Sequence, residues 1–398
     1  MRTGKLLELM LVLLLLVIAS GLAVEAVSQA TPTAEEAIAV IRQSCGGYGG
    51  AYPCYESLAA WQADYGGIDF GANASGDLVA ADKIAVARIE GAWTQADTTR
   101  VSISGWTTGA GHYIRIYTAP EARHNGVAGS GYRLASTDAS GVLLYVTAAY
   151  LRVEGLELHA ASTYSGPVIY LRPNTAEGVG EIHFSHNLIH GNRTATGHGL
   201  HNYDCRGVVK VWNNVIYDVG VAGSTAGLMS GVGTMIAYNN TIVDVVAGFA
   251  LRSSGGIVAR NNLADAPGTD YYGSFAAGSD FNASADASAP GLHSRRNQTF
   301  TFVDRAGKDF HLAATDAGAR NHGLDLSGDP YLPITDDIDG HVRSGGWDIG
   351  ADEAQDGADT VAPVRFAGAP SGTLPRGTTQ ATLSLSTNEA ATCRYAMT

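Results

Sequence analysis

Charge is scarce in this chain. Only 16% of its 398 residues are Asp, Glu, Lys or Arg, and 38 acidic side chains outnumber 25 basic ones, for a formal net charge of −13. Low charge combined with 50 glycines argues against coiled coils and long helical arrays and suits many tight turns and short strands. The acidic balance disfavours a nucleic-acid partner, which needs a basic footprint. It also means that an acidic polymer would be held only through a local basic patch or intervening cations. Cysteine is nearly absent, with four residues. Cys45 and Cys54 flank a Gly-rich loop and read either as a disulfide of an exported protein or as two loop thiols. Cys205 reads as a small buried residue, and no cysteine pair has zinc-site spacing with matching His. Beyond the N-terminus no run is apolar enough to span a bilayer. No Gly-rich phosphate loop, serine nucleophile elbow or zincin motif is found.

What the chain does have is a repeat. Five segments read strand, bend residue, strand: YLRVEGLEL (150–158), EIHFSHNLIH (181–190), VVKVWNNVIYD (208–218), TMIAYNNTIVD (234–244) and GIVARNNLAD (256–265). Aligning Leu156, Asn187, Asn214, Asn240 and Asn262 puts apolar residues in register on both sides, such as Val153, Phe184, Val211, Ala237 and Ala259 three places earlier. Steps of roughly 20–30 residues mean stacked structural repeats. Period-2 alternation makes each segment a strand with one buried face. A second set of short runs, PVIYLR (167–172), GLHNYD (199–204), GLMS (227–230) and GFALR (248–252), supplies a further strand per turn. Several short strands per turn, stacked in register, make a parallel β-helix. Asn at the bend tolerates unusual backbone angles and can bond the Asn of the next coil. The column is read as ending at Asn262, and 266–310 as loop-like, with Asn282 in an Asn-Ala-Ser sequon.

This strand–Asn–strand stack resembles the right-handed parallel β-helix superfamily of pectate-lyase-like proteins, over roughly residues 100–355. The resemblance implies an all-β solenoid and a company of lyases, hydrolases, epimerases, adhesins and tailspikes, so the fold does not choose the reaction. Residues 1–26 read as a secretory signal peptide, with Arg2, Lys5 and an apolar core from Leu9 to Ala19. The protein is therefore expected outside the cell or at its surface, as a monomer with no membrane span after cleavage. Residues 27–83 form the N-terminal cap region, with helical spacing in 34–43 and 56–66. Residues 84–355 form the β-helix and its closing segment, whose DIGADE ending (348–353) resembles the domain end of secreted β-helix proteins. Residues 356–398 read as a linker and a partial module similar to immunoglobulin-like sandwiches, too short for a full one.

Chemistry must sit on outward side chains. On the first strand of each repeat these are Arg152 and Glu154, His183 and Ser185, Lys210 and Trp212, Ile236 and Tyr238, and Val258 and Arg260. Trp212 over Tyr238, with Lys210 and Arg206 nearby, forms the expected glycan-binding surface, since aromatic faces stack on sugars. The densest titratable cluster is His190, Arg193, His198, His201, Tyr203, Asp204 and Arg206, with Arg252 two coils on. A uronate lyase needs a base, a neutraliser for the sugar carboxylate and an acid. His201 or Arg252 as base and Tyr203 as acid, supported by His198 and Asp204, is the expected assignment. Gly197-His198-Gly199 resembles one motif of polygalacturonase-type glycosidases, but the paired carboxylates that inverting hydrolysis requires are missing from that face. Calcium is the one cofactor considered. Asp337 and Asp339 before Gly340 carry part of a calcium loop's spacing, and a turn with Asx bonds and an Arg343 ion pair explains them better. Two functions stay open: a lyase on uronate-containing polysaccharide, and a non-catalytic surface protein that binds glycan.

Overall fold

The computed structural model describes residues 34–64, 76–136, 142–160, 166–191, 197–220, 225–251, 255–355, 365–369, 374, 376–380 and 384–387. The signal segment, Arg193, Arg252, the linker after residue 355 and Cys393 lie outside them. Residues 1–354 and 355–398 form two separate units.

The first unit is a parallel β-helix. Among the described residues nine strands stack in the first sheet and seven in each of the other two. The central coils take one strand from each. One coil runs through Leu200–Asn202 in the third sheet, Val208–Trp212 in the first and Val215–Tyr217 in the second. Neighbouring coils pair in parallel without slippage: Val153, Phe184, Val211, Ala237 and Ala259 are successive partners across the first sheet. They point inward and are almost wholly buried. The interior is therefore a column of like apolar residues at rung spacing, ~4.8 Å.

The bend between the first and second sheets holds the coils in register. Asn187, Asn214, Asn240, Asn262 and Asn282 are all fully buried. Each of the first four donates from its side-chain amide to the Oδ1 of the next, at 2.9–3.1 Å. Their backbone N–H groups donate to the same oxygens. The unusual backbone angles lie one residue earlier than expected: His186, Asn213, Asn239 and Asn261 have φ of 50–54°. The Asn-Asn doublets thus divide the work. The first residue takes the left-handed turn that Asn tolerates best among side chains, and the second builds the column. Asn282 extends the column by one coil beyond the expected end, with strands Thr269–Tyr272 and Ala283–Ser284 on that last turn. The sequon there is buried structure, not an open loop.

At the N-terminal end, residues Glu35–Ile41 are a strand, not the expected helix. They pair in parallel with Lys83–Ile89 along their whole length. Helical and alternating readings both fit a run such as EEAIAVI, and the available sheet edge decides it. The second helical reading holds in part, as a short helix over Leu58–Ala63. Ser57 Oγ caps it by accepting from the Ala60 N–H, and Leu58 and Trp61 close the core beneath. Cys45 and Cys54 form a disulfide and Cys205 is a buried free thiol.

Residues 300–353 fold back over the outside of the solenoid. Phe300, Phe302, Phe310 and Ile338 cover the second sheet at Leu188, Val215 and Val243. Leu326, Leu332, Ile334 and Trp347 cover the first sheet at Ile236 and Tyr238. Arg305 bridges Asp244 and Asp265, and Lys308 reaches Asp218 at 2.8 Å. Buried Arg343 pairs with Glu353 at 3.1 Å and donates to four backbone carbonyls, which knits the segment's end. In the second unit, Arg365–Ala369 and Ser384–Thr387 pair antiparallel. Among the described residues no helix is long and apolar enough to cross a membrane.

Asn240→Ala tests the column. It takes the acceptor from the Asn214 N–H, one of three acceptors from the Asn214 amide, and the amide donor from the Val211 carbonyl, all in a dry interior. Urea unfolding should show a loss of about 3 kcal/mol or more.

Candidate functional site

The histidine-rich coil expected to be catalytic lies on the third sheet. His201 packs between neighbouring rungs, with its ring 5.3 Å from Tyr170, 4.7 Å from His198 and 5.7 Å from Tyr203. These residues do come together, but as an aromatic and imidazole column of the kind that stabilises a sheet in its own right. Tyr203 is 46% exposed. Asp204 is committed to the neighbouring loop, accepting the Asn174 N–H at 3.0 Å and facing Arg172 at 3.7 Å. Arg206 makes an outlying pair with Glu177 at 4.0 Å. His198 braces a turn by accepting the Ala226 N–H on Nδ1. Its flanking glycines are explained by packing: a Cβ on Gly197 would lie 1.9 Å from the Gly166 carbonyl oxygen, and one on Gly199 2.6 Å from that of Gly227. Arg252, the alternative base, is outside the described residues; among them Arg172 lies over the Tyr203 ring at 5.1 Å.

The expected sugar platform of Trp212 and Tyr238 is overturned for one of its two members. Tyr238 is fully buried under the closing segment, where Arg260 lies over its ring. It has no face to offer a ligand. Trp212 stays at the margin of that cover. Lys210, also on the covered rung, is buried and turned to Glu181 at 3.5 Å.

Where the cover stops, the first sheet carries a cleft of about 340 Å³. Arg115, Arg152 and His183 stand on three successive rungs of one outward column. Glu154, Ser185 and Trp212 form the column beside them, and Leu332 and Pro333 of the closing segment make a wall. Arg115 lies within 4.0 Å of Glu36 and Glu154. Arg152 differs. Its guanidinium lies over the Tyr113 ring at 3.8 Å and donates to the Tyr113 hydroxyl at 3.0 Å. Among the described residues no carboxylate is within ion-pair distance of it.

His183 is held by Glu181. Its Nε2 is 2.7 Å from the Glu181 carboxylate, and Trp212 meets its ring edge-on at 5.5 Å. Burial is the largest influence on His183 and pulls its pKa below 6.5, although Glu181 pulls the other way. The hydrogen bond from His183 drives Glu181 the opposite way, down to about 2 against its own burial. Near neutral pH the pair is thus a carboxylate and a neutral imidazole with its proton on Nε2. Among the described residues nothing bonds Nδ1, which leaves a basic lone pair at the cleft. A carboxylate that fixes a histidine's tautomer so that the other nitrogen is basic is the usual arrangement of a general base. Arg152, Glu154, His183 and Trp212 were legible as outward residues. Glu181, Arg115 and Tyr113 were missed, although alternation from Arg152 would have placed them outward too.

The turn considered for calcium is occupied by its own backbone. Asp337 Oδ1 accepts from the N–H of Asp339 and of His341, and Oδ2 from that of Glu353. Nearby, His311 sits between Asp309 and Asp339 at 2.5 and 2.8 Å. Burial opposes its charge, but the Asp339 hydrogen bond and the Asp352, Asp339 and Asp309 carboxylates outweigh it and lift the pKa to about 10. Both ring nitrogens of His311 are thus engaged by carboxylates.

Compared with protein-family models, curated proteins and solved structures, the chain matches none. The geometry alone therefore carries the functional argument.

His311 yields a pH test. Its folded pKa lies above its unfolded value, so its stabilisation is complete below about pH 6.5 and is lost as pH rises through about 10. His311→Gln should cost about 2 kcal/mol at pH 6. Chemical denaturation of both proteins should show the deficit narrowing steadily above pH 7.

Proposed function

We propose that this protein is exported and cleaves a uronate-containing polysaccharide by β-elimination in the first-sheet cleft. The observation that carries the reading is an unpaired Arg152 beside a histidine whose tautomer is set by Glu181. In this scheme Arg152 and Arg115 take the sugar carboxylate, which makes the adjacent C5 proton acidic. His183 Nδ1 removes that proton. The electron pair forms the C4–C5 double bond, the C4–O bond breaks, and the leaving oxygen collects a proton from solvent. Trp212 would stack on a neighbouring sugar ring. The base role expected of His201 or Arg252 passes to His183 and the acid role expected of Tyr203 to water, because burial and a carboxylate partner tune His183 for the task.

Other features support the reading. A local basic column answers the requirement that a chain of net charge −13 needs for an acidic polymer. The Cys45–Cys54 disulfide suits an oxidising compartment, in keeping with a cleaved signal at residues 1–26. The solenoid and its DIGADE ending fit a pectate-lyase-like protein, and the antiparallel pair after residue 364 fits part of an immunoglobulin-like module. A second reading, glycan binding without turnover, draws on the third-sheet column of Tyr145, Tyr170, His201 and exposed Tyr203.

A panel of polygalacturonate, alginate and glucuronate-containing polymers, with and without calcium, decides between them through the ultraviolet absorbance of the unsaturated product. His183→Ala should lower kcat about 10²–10⁴-fold, while Tyr203→Ala should leave it unchanged. Because burial holds the His183 pKa below that of a free imidazole, kcat/KM should fall toward acid with a midpoint lower than a free imidazole would give. Retained activity in His183→Ala would remove this site. Binding without product on any polymer would leave the glycan-binding reading.

A further inference from the structure

A second cluster of titratable groups lies on the outside of the second sheet, away from the cleft. Glu157 and His159 stand on one strand and His190 on the next, with His159 and His190 direct partners across the sheet. One donor atom from each of the three lies within 4.8 Å of the others. His190 Nε2 is 3.0 Å from Glu157 Oε1. Two donors across a tetrahedral ion with bonds of 2.0–2.1 Å sit about 3.3 Å apart, so this pair needs little movement to share one.

Glu157 is the group that asks for an explanation. Its side chain is fully buried, and a buried carboxylate is costly unless well partnered. Its one cationic neighbour among the described residues is Arg133, at the outer limit of 4.0 Å. Its second oxygen accepts the Gly129 N–H at 2.6 Å. That bond fixes the carboxylate much as outer partners fix metal ligands. The Tyr217 ring stacks on His190 at 4.7 Å and 6°, and so fixes the plane of that imidazole.

Hydrogen bonding separates this cluster from the other two groups of ligand-type side chains. His311 is bonded on both ring nitrogens, to Asp309 and Asp339, and Asp337 accepts three backbone N–H groups. Among the described residues no hydrogen bond reaches the His159 ring, which only stacks on His190.

We propose that Glu157, His159 and His190 form a binding site for a divalent transition ion of the zinc type. Two imidazole nitrogens and one carboxylate oxygen are a donor set such ions favour over calcium or magnesium, and three protein ligands leave a fourth position for water. Glu157 and His190 are the fixed ligands. The His159 ring is stacked on His190 at 4.2 Å and 17°, so its lone pair must turn toward the ion. Half-exposed at the edge of the site, it has room to do so. The ion takes the place on Nε2 of whatever proton faces Glu157, and since imidazole binds a metal only when it is not an imidazolium, affinity rises with pH.

The test is zinc titration of tag-free, chelator-stripped full-length protein by calorimetry, with cobalt absorption as a second readout. One ion per chain should bind, more tightly at pH 7.5 than at pH 5.5, with a cobalt spectrum typical of a four-coordinate site. His159→Ala, chosen because it is half-exposed, and the isosteric Glu157→Gln should each weaken binding at least tenfold, with unchanged circular dichroism. His341→Ala and His183→Ala should bind as the parent does, which keeps this result separate from the fate of the cleft. Absence of zinc uptake at micromolar concentrations overturns the proposal. Stoichiometric uptake that His159→Ala leaves unaltered places the ion elsewhere and overturns it equally.

Discussion

The stack of amide hydrogen bonds along the bend is the constraint on which the rest of this structure depends. A solenoid must turn at the same place on every coil, and each turn buries backbone groups that water can no longer reach. The side-chain amide meets both demands. Its oxygen accepts two donors from the coil on one side, and its nitrogen reaches the next oxygen and a strand carbonyl. A hydroxyl or carboxylate lacks this combination of donors and acceptor. Where the column stops, the coils stop. Asn282 hands its bonds to Ser294 Oγ and to the Asp280 and Pro290 carbonyls, and the chain leaves the solenoid.

Fixed register has a chemical consequence. It places like positions on top of one another, so outward side chains form columns at rung spacing, and columns of like charge repel. The protein answers this in two ways. Asp218, Asp244 and Asp265 line one edge of the second sheet, and the closing segment brings Arg305 and Lys308 across them. On the first sheet, cations Arg115, Arg152 and Lys210 alternate around Glu36, Glu154 and Glu181. The closing segment covers the later rungs of that sheet and leaves the middle ones open. It thereby decides which column remains a surface. Arg152 lies on the open part, over the Tyr113 ring and with no carboxylate within ion-pair distance among the described residues.

Much of the solenoid was legible because its signals are local. Alternation, the Asn spacing and the Gly-bounded runs lie within a few residues of each other, and they gave the strands, the bend and the identities of Arg152, His183 and Trp212 as outward residues. What was not legible depends on contacts between distant segments. Nothing in TMIAYNN says that Tyr238 will be roofed by Leu332 and Trp347, about a hundred positions later. Nothing in EEAIAVI says that an open sheet edge awaits it at Lys83–Ile89. The extra coil at Asn282 was hidden for another reason. Its strands are short and polar, so only the amide, not the flanking pattern, betrays it.

Two histidines of the same outward placement have different surroundings, which residue type alone does not reveal. His201 and His183 both point outward from a strand in the same stack of coils. His201 meets the ring of Tyr170 on the neighbouring rung and that of Tyr203 on its own. His183 meets a carboxylate at 2.7 Å, which fixes the tautomer, and enough burial to keep the ring neutral. The first environment is a stack of rings. The second is a carboxylate-held imidazole that lines a cleft together with Arg152. The carboxylate responsible, Glu181, is two residues away on the same strand, and successive outward residues on one strand share a face. A search for His with an acidic residue at i−2 on an outward column would have ranked His183 above His201 before any coordinates existed.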